Sequence, residues 1–155
     1  VTTIKNVLEY FISNHKKYSS NDFQIIFKGD MSFLSNILKN KISKTQEINK
    51  NKKKKLVVYI NYSGQNDILN SVKKLVKINK KINHTNFVKN LITQDMPYPD
   101  LLLRTGGFKR ISDFMLYQLS FTELFFTKKL WPDIKVADLD KLIKEYYSIE
   151  RKFGL

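Results

Sequence analysis

Short β-rich runs, each broken by a turn signal and followed by a helical stripe, constrain this 155-residue chain more than any other feature. Phe23 to Phe27 is one such run, closed by Gly29-Asp30. Leu56 to Ile60 is nearly continuous in β-branched and aromatic residues and ends at Asn61-Tyr62-Ser63-Gly64. Leu101 to Leu103 follows Pro97 and Pro99, which push the preceding residues toward extended backbone. Runs this apolar read as strands covered on both faces, and a last strand is expected at Leu124 to Phe126. Around them, apolar residues recur at helical spacing: Ile4, Val7, Leu8, Phe11 and Ile12, then Phe33, Leu34, Ile37, Leu38 and Ile42, then Ile68, Val72, Leu75 and Val76. Further helices are expected near Phe87 to Ile92, over Phe114 to Leu119, and from Val136 to Phe153 with Leu139, Leu142, Ile143 and Tyr146 inward. Parallel strands need crossover connections, so this alternation predicts an α/β fold, a parallel sheet with helices on both faces. No repeat or second domain is evident, and residues 1–155 are expected to form a single domain.

The segment Asp100 to Asp133 carries the chemistry. Its apolar strand stops abruptly at Arg104-Thr105-Gly106-Gly107, and ligands of open α/β sheets bind at such carboxyl ends. Paired glycines let backbone N–H groups approach an anion. Arg104 and Arg110 each present a planar fork of donors that matches phosphate oxygens, and Ser112 adds a neutral donor. Taken alone, an arginine after a strand is more often a surface ion pair, and Glu123 reads equally well as a partner of Lys128 or Lys129. It is the grouping of Arg104, Arg110 and Ser112 around a glycine turn that favours a diphosphate.

The same segment resembles the C-terminal signature of the cis-prenyltransferases, the undecaprenyl diphosphate synthase family. That pattern runs Arg-Thr-Ser/Gly-Gly-Glu, Arg-x-Ser-Asn/Asp-Phe, Trp-Gln, Glu-Leu-x-Phe and Trp-Pro-Asp/Glu. The matching residues are Arg104, Thr105, Gly106, Gly107, Arg110, Ser112, Asp113, Phe114, Gln118, Glu123, Leu124, Phe126, Trp131, Pro132 and Asp133. Gly29-Asp30 with Leu34, and Asn61-Tyr62-Ser63-Gly64 before Asp67-Ile68, resemble the family's upstream turns, and Val1 to Ile12 resembles its tunnel-side helix. The resemblance implies an enzyme that joins isopentenyl diphosphate to an allylic, farnesyl-type diphosphate and builds a cis-polyprenyl diphosphate, the undecaprenyl carrier-lipid precursor of cell-wall synthesis. It implies that Arg104, Arg110 and Ser112 hold the isopentenyl diphosphate and that Glu123 helps hold Mg²⁺. It further implies that Lys152 reaches a diphosphate and that the protein is a homodimer. Apolar residues such as Leu8, Phe11, Ile12, Phe33, Ile37 and Leu38 would line a product tunnel or, as in any α/β domain, simply form core.

This chain departs from the pattern in several places. Phe108 stands where the family has glutamate, Tyr117 where it has tryptophan, Gln65 where it has arginine, and Lys152 where it has the arginine of an Arg-Phe-Gly tail. The family's opening strand and its Asp-Gly-Asn-Gly-Arg-Trp loop, which supplies a metal-binding aspartate, have no counterpart here. The resemblance therefore implies a domain truncated at its N-terminus, with its N-terminal strands missing and little activity of its own.

Composition sets the remaining bounds. The net charge is +14, much of it in Lys50 and Lys52 to Lys55 and in Lys73, Lys74, Lys77, Lys80 and Lys81. Such runs are usually solvated faces, while lysines close to anionic lipid gain about 1 kcal/mol each, so the charge also allows loose contact with an anionic membrane. No nucleic-acid motif accompanies the charge, and no nucleic-acid partner is expected; a basic nucleic-acid or membrane module is the remote alternative, and a catalytically silent subunit of a heteromer the nearer one. The sequence has no cysteine, which fits a cytoplasmic, reducing setting, and no run near the roughly 20 apolar residues of a membrane span. His15 and His84 read as exposed, without partners at metal-ligand spacing.

Overall fold

The structure is a computed structural model that describes residues 2–14, 23–48, 50 and 52–152. It divides into two compact units, residues 1–62 and 63–155, each described by itself.

The first unit is a βαβ crossover preceded by a helix. Helix α1 (Thr2–Ser13) leads to β1 (Phe23–Gly29), α2 (Asn36–Ile48) and β2 (Lys54–Ile60). The strands pair in parallel over their full lengths, from Phe23 opposite Lys54 to Gly29 opposite Ile60. Ile25 and Phe27 point into a core closed by Leu8 and Ile12 of α1, Leu38 and Ile42 of α2, and Leu34 and Ile60. Of the apolar residues expected to line a tunnel or form core, Leu8, Ile12 and Leu38 are therefore core, and Phe33 packs against it. Ile37 is not inward; it is 72% exposed, because Phe33 and Leu34 precede the helix and the buried stripe begins one residue later, at Leu38. Nor is β2 covered on both faces along its length: its first half is exposed, with Leu56 at 40%. Phe11 and His15 lie outside the described side chains.

The second unit holds α3 (Gly64–Lys77), α4 (His84–Val88), β3 (Leu101–Arg104), β4 (Glu123–Phe126), a 3-10 turn (Trp131–Asp133) and α5 (Val136–Tyr147). Strands β3 and β4 are parallel, with Leu101 opposite Glu123 and Arg104 opposite Phe126. Helix α3 buries Asp67, Ser71 and Leu75, and the Ser71 hydroxyl donates to the Phe87 carbonyl of α4 (2.7 Å). Asp67 is buried, and its carboxylate accepts the Ile92 N–H (2.8 Å). Helix α3 stops at Asn79, whose φ of 49° places it in the left-handed region. There Asn79 N–H donates to Val76 and Lys80 N–H to Leu75, the paired bonds of a Schellman stop.

Three expected helices differ. The piece expected near Phe87 to Ile92 lies earlier, over His84–Val88, and residues 89–92 are turns. Phe114 to Leu119 is a series of turns, since Ser112, Asp113 and Met115 all take positive φ and cannot propagate a right-handed helix. The terminal helix ends at Tyr147, where the Ser148 N–H and hydroxyl both bond the carbonyl of Glu145. Along it Leu139, Leu142 and Tyr146 are half-buried, but Ile143 is 46% exposed, a consequence of its place at the edge of the buried arc. Among the described residues no helix is long and apolar enough to cross a membrane.

Candidate functional site

Strand β3 delivers Arg104 to its carboxyl end, and the chain then turns through Gly106 (φ 87°) and Gly107 (φ 82°), conformations that a Cβ would strain. The turn folds back on the exit of β4. Gly106 N–H donates to the Lys129 carbonyl and Gly107 N–H to the Thr127 carbonyl, both at 2.8 Å, while Thr127 N–H donates to Arg104 (2.9 Å). The glycine amides expected to face an anion are thus committed to backbone, because the left-handed turn aims them at the neighbouring loop. What the loop offers to an anion is its side chains.

Those side chains are available. Among the described residues no carboxylate pairs with Arg104, which is half-buried at the strand end, or with Arg110, which is exposed. The Arg110 guanidinium carbon lies 4.3 Å from the centroid of the Phe108 ring. Stacking engages the face of the guanidinium and leaves its N–H edge open for oxygen acceptors. Phe108, the departure from the glutamate pattern, therefore acts here as a platform for Arg110.

Ser112 is exposed, with φ 48°, and is held by its neighbour. Asp113 (φ 61°) bonds the start of α3 three times: its carbonyl accepts Gly64 N–H (2.7 Å), Oδ1 accepts Gln65 N–H (2.9 Å), and Oδ2 accepts the Ser63 hydroxyl (2.5 Å). Ser63 Oγ in turn accepts Asn66 N–H (3.1 Å). The first three amides of α3, which have no partner inside the helix, are all satisfied in this way. The helix start serves as an anchor for the Ser112 loop and has no donor left for an anion. Neither Ser63 nor Asp113 stood out as a positioning residue in the sequence; a Ser three residues before Asn66 at the edge of a helical stripe is the capping signal that could have found the first of them.

Glu123 and Lys152 stand apart from this group. Glu123 opens β4 opposite Leu101, three residues from the Arg104 level, or about 10 Å along the strands. Its carboxylate pairs with neither Lys128 nor Lys129 among the described residues, since Lys129 Nζ is held by Asp138 (2.6 Å). That Lys129 contact, with the Lys135 N–H, holds the Asp138 carboxyl below the usual carboxylate range. Lys152 is exposed; the neighbouring Arg151 instead folds back, donating to Asp100 Oδ1 (2.7 Å), the Tyr146 hydroxyl (2.9 Å) and the Phe121 carbonyl (3.1 Å). No group of three or more metal-ligating side chains occurs among the described residues. A single uncommitted carboxylate still suits Mg²⁺, which takes one or two carboxylates together with substrate phosphates and water.

In the first unit the two upstream echoes meet: Asn61 (φ 47°) donates to Asp30 Oδ2 at 3.2 Å, at the carboxyl ends of β1 and β2. Ser32, whose N–H reaches Asp30 Oδ1 at 2.9 Å, holds the Asp30 carboxyl below its ordinary range. His84, at the start of α4, is exposed as expected. Trp131 is 68% exposed and fills no core position in this chain.

The sequence model of a family described as "Putative undecaprenyl diphosphate synthase" matches residues 1–154. An isoprenyl transferase of Fusobacterium nucleatum is 35% identical over 155 residues, 99% of this chain and 67% of that protein. A ditrans,polycis-undecaprenyl-diphosphate synthase of Coxiella burnetii, described as specific for (2E,6E)-farnesyl diphosphate, is 34% identical over 96% of this chain and 66% of its own. Among solved structures, lavandulyl diphosphate synthase from Lavandula x intermedia, in complex with dimethylallyl diphosphate, aligns with a TM-score of 0.88 and 32% identity over 97% of this chain and 69% of that one. The chain thus spans about two thirds of the length of the relatives it matches.

Proposed function

We propose, from the premise that this chain belongs to the undecaprenyl diphosphate synthase family of prenyltransferases and shares its α/β fold, that its protein condenses isopentenyl diphosphate with an allylic diphosphate to extend a cis-polyprenyl diphosphate. The observation that carries this reading is the pair of guanidiniums, Arg104 and Arg110, that flank a glycine turn at the end of β3 without a counter-ion among the described residues. For the half-buried Arg104 a missing partner is costly, and a diphosphate supplies the missing charge, while the exposed Arg110 is free to join it.

In the proposed reaction the allylic C–O bond breaks and diphosphate leaves. The double bond of isopentenyl diphosphate supplies the electron pair of the new C–C bond, and a proton is lost from the adjacent carbon. The described residues include no evident general base, and the departing diphosphate can take that proton. Arg104, Arg110 and Ser112 would hold the diphosphate of isopentenyl diphosphate, which positions its double bond while the anion stays bound. Bound Mg²⁺, held in part by Glu123, would neutralise diphosphate charge. Lys152 would offer a point charge to a diphosphate, without the bidentate fork of arginine.

The reading extends to a single catalytic domain, to a role in carrier lipid for cell-wall synthesis, and to a cytoplasmic protein peripheral to the membrane. Exposed apolar residues of the second unit, among them Leu130 (61%), Trp131 (68%), Val136 (74%) and Tyr147 (80%), favour a second copy as partner. Sedimentation at micromolar concentration should return twice the protomer mass, and a monomer at all concentrations would refute the dimer.

The deciding experiment measures radiolabelled isopentenyl diphosphate entering butanol-extractable lipid, with Mg²⁺ and either farnesyl or dimethylallyl diphosphate, using the natural full-length protein that carries these residues. Incorporation is expected, and Arg104→Ala should raise the KM for isopentenyl diphosphate by roughly 10-fold or more, the loss of a charge-assisted hydrogen bond. No incorporation with either primer would overturn the enzyme reading in favour of a silent subunit.

A further inference from the structure

Helix α3 and the turn that ends it carry a surface that the diphosphate site does not use. From residue 64 to residue 94 there are six lysines, Lys73, Lys74, Lys77, Lys80, Lys81 and Lys89, all exposed and none in an ion pair among the described residues. The one acidic residue in that stretch, Asp67, is 2% exposed and bonded to the Ile92 N–H. Every exposed charge within that stretch is therefore positive.

Apolar side chains are interleaved with the charges. Leu69 (49% exposed), Val76 (64%), Ile78 (60%) and Ile82 (56%) face solvent between the lysines. At about 100° per residue, Leu69, Lys73, Val76 and Lys77 fall within one arc of about 100° on α3, opposite the buried Asp67, Ser71 and Leu75. The turn is built, not loose: the Asn79 stop fixes the exit of α3, and Asn86 Nδ2–H donates to the Lys81 carbonyl (2.7 Å) while Asn83 caps α4. A cleft of about 260 Å³ lies beside the helix, lined by Asp67, Asn70, Lys73, Lys74, Lys77 and Ile92.

We propose that this face, Leu69 to Ile82, lies against the surface of an anionic bilayer, the lysines engaging phosphate headgroups and the four aliphatic side chains entering the headgroup and acyl boundary. The alternation decides the class of partner. A nucleic acid rewards arginine forks and stacked aromatics, and the stretch 64–82 contains neither arginine nor any aromatic residue. A helix with a basic face and solvent-facing aliphatic groups is the arrangement that binds at a lipid interface. The inference rests on the peripheral placement proposed above and names the surface responsible. It does not depend on catalysis, so vesicle binding and isopentenyl transfer fail or succeed separately.

The test is co-sedimentation of the natural full-length protein with phosphatidylcholine vesicles, with and without about 30% phosphatidylglycerol. Binding is expected only to the anionic vesicles and should weaken as salt rises. Replacing both Lys73 and Lys77 with alanine should lower partitioning roughly 25-fold, at about five-fold per lysine. The K73R/K77R protein should bind as the parent does, and L69S/V76S should bind more weakly at the same net charge. Unaltered melting temperatures in all three variants would establish that they fold. The proposal is overturned if the parent ignores anionic vesicles, if K73A/K77A binds them undiminished, or if a duplex oligonucleotide at equal phosphate and near-physiological salt displaces the vesicles.

Discussion

Arg110 is the residue whose behaviour depends most on a neighbour. Its guanidinium rests on Phe108 at 4.3 Å, where the family pattern has a carboxylate. A carboxylate there would take the N–H edge; a phenyl ring takes only the face. An exposed cation–π contact is worth about 0.5–1 kcal/mol, and its loss frees a long side chain to sample other rotamers. Phe108→Ala should therefore raise the KM for isopentenyl diphosphate about 2- to 5-fold with little change in kcat, whereas Arg110→Ala should cost roughly 10- to 100-fold in kcat/KM. Steady-state kinetics of the two variants check this. If Phe108→Ala matched the parent, the ring would have no role in placing Arg110. Both arginines were legible in the sequence, because charge and donor geometry belong to the residue itself. The ring's service to Arg110 was not, because a substitution read against a pattern shows only what is lost.

At the scale of elements, the joint between α3 and the Ser112 turn matters most. Gly64 is helical, where alanine normally stabilises by about 1 kcal/mol. Here a Cβ would lie 2.9 Å from the Asp113 carbonyl oxygen and 2.9 Å from Leu116 Cγ. Gly64→Ala should thus destabilise, by about 1–3 kcal/mol as overpacking does, and should displace Ser112 as well. Asp113→Ala removes two of the three bonds and strips the Gln65 amide and Ser63 hydroxyl of their partner. Urea unfolding of both variants measures the stability effect, and a stabilised Gly64→Ala would show that the joint can relax. The left-handed backbone of Ser112, Asp113 and Met115 is also what cancels the helix expected over Phe114 to Leu119. Periodicity alone could not show that, since Asp113, at the centre of the three, is held by bonds from a helix start about fifty positions away.

For the molecule as a whole, acid is the condition that touches both units. Asp30 in the first unit and Asp138 in the second have carboxyls held below their ordinary range, by Ser32 and by Lys129 respectively. A carboxyl whose pKa is lower folded than unfolded binds fewer protons when folded, so its stabilising contribution is complete above the unfolded value near 4 and is lost as pH falls through the lowered folded value. Thermal unfolding followed from pH 6 downward should show stability declining below about pH 4, and Asp138→Asn should make that decline shallower. An identical profile in the variant would mean that the Lys129 contact does not persist in solution.

What the sequence determined by itself was whatever depends on neighbours along the chain: the order of strands and helices, the parallel crossover, the termination of β3 at Arg104, and the signature that places the chain in its family. Periodicity, turn chemistry and spacing are local, so they survive without coordinates. What only the tertiary structure decided was the destination of each donor and acceptor. Gly106 and Gly107 give their amides to residues 127–129, Asp113 closes the start of α3, Asp67 is buried against Ile92, and Glu123 stands at the far end of its strand from Arg104. Each of these pairings joins positions about 20 to 50 residues apart, and a hydrogen bond is set by the distance and angle of two groups, which the spacing of residues in a sequence does not contain.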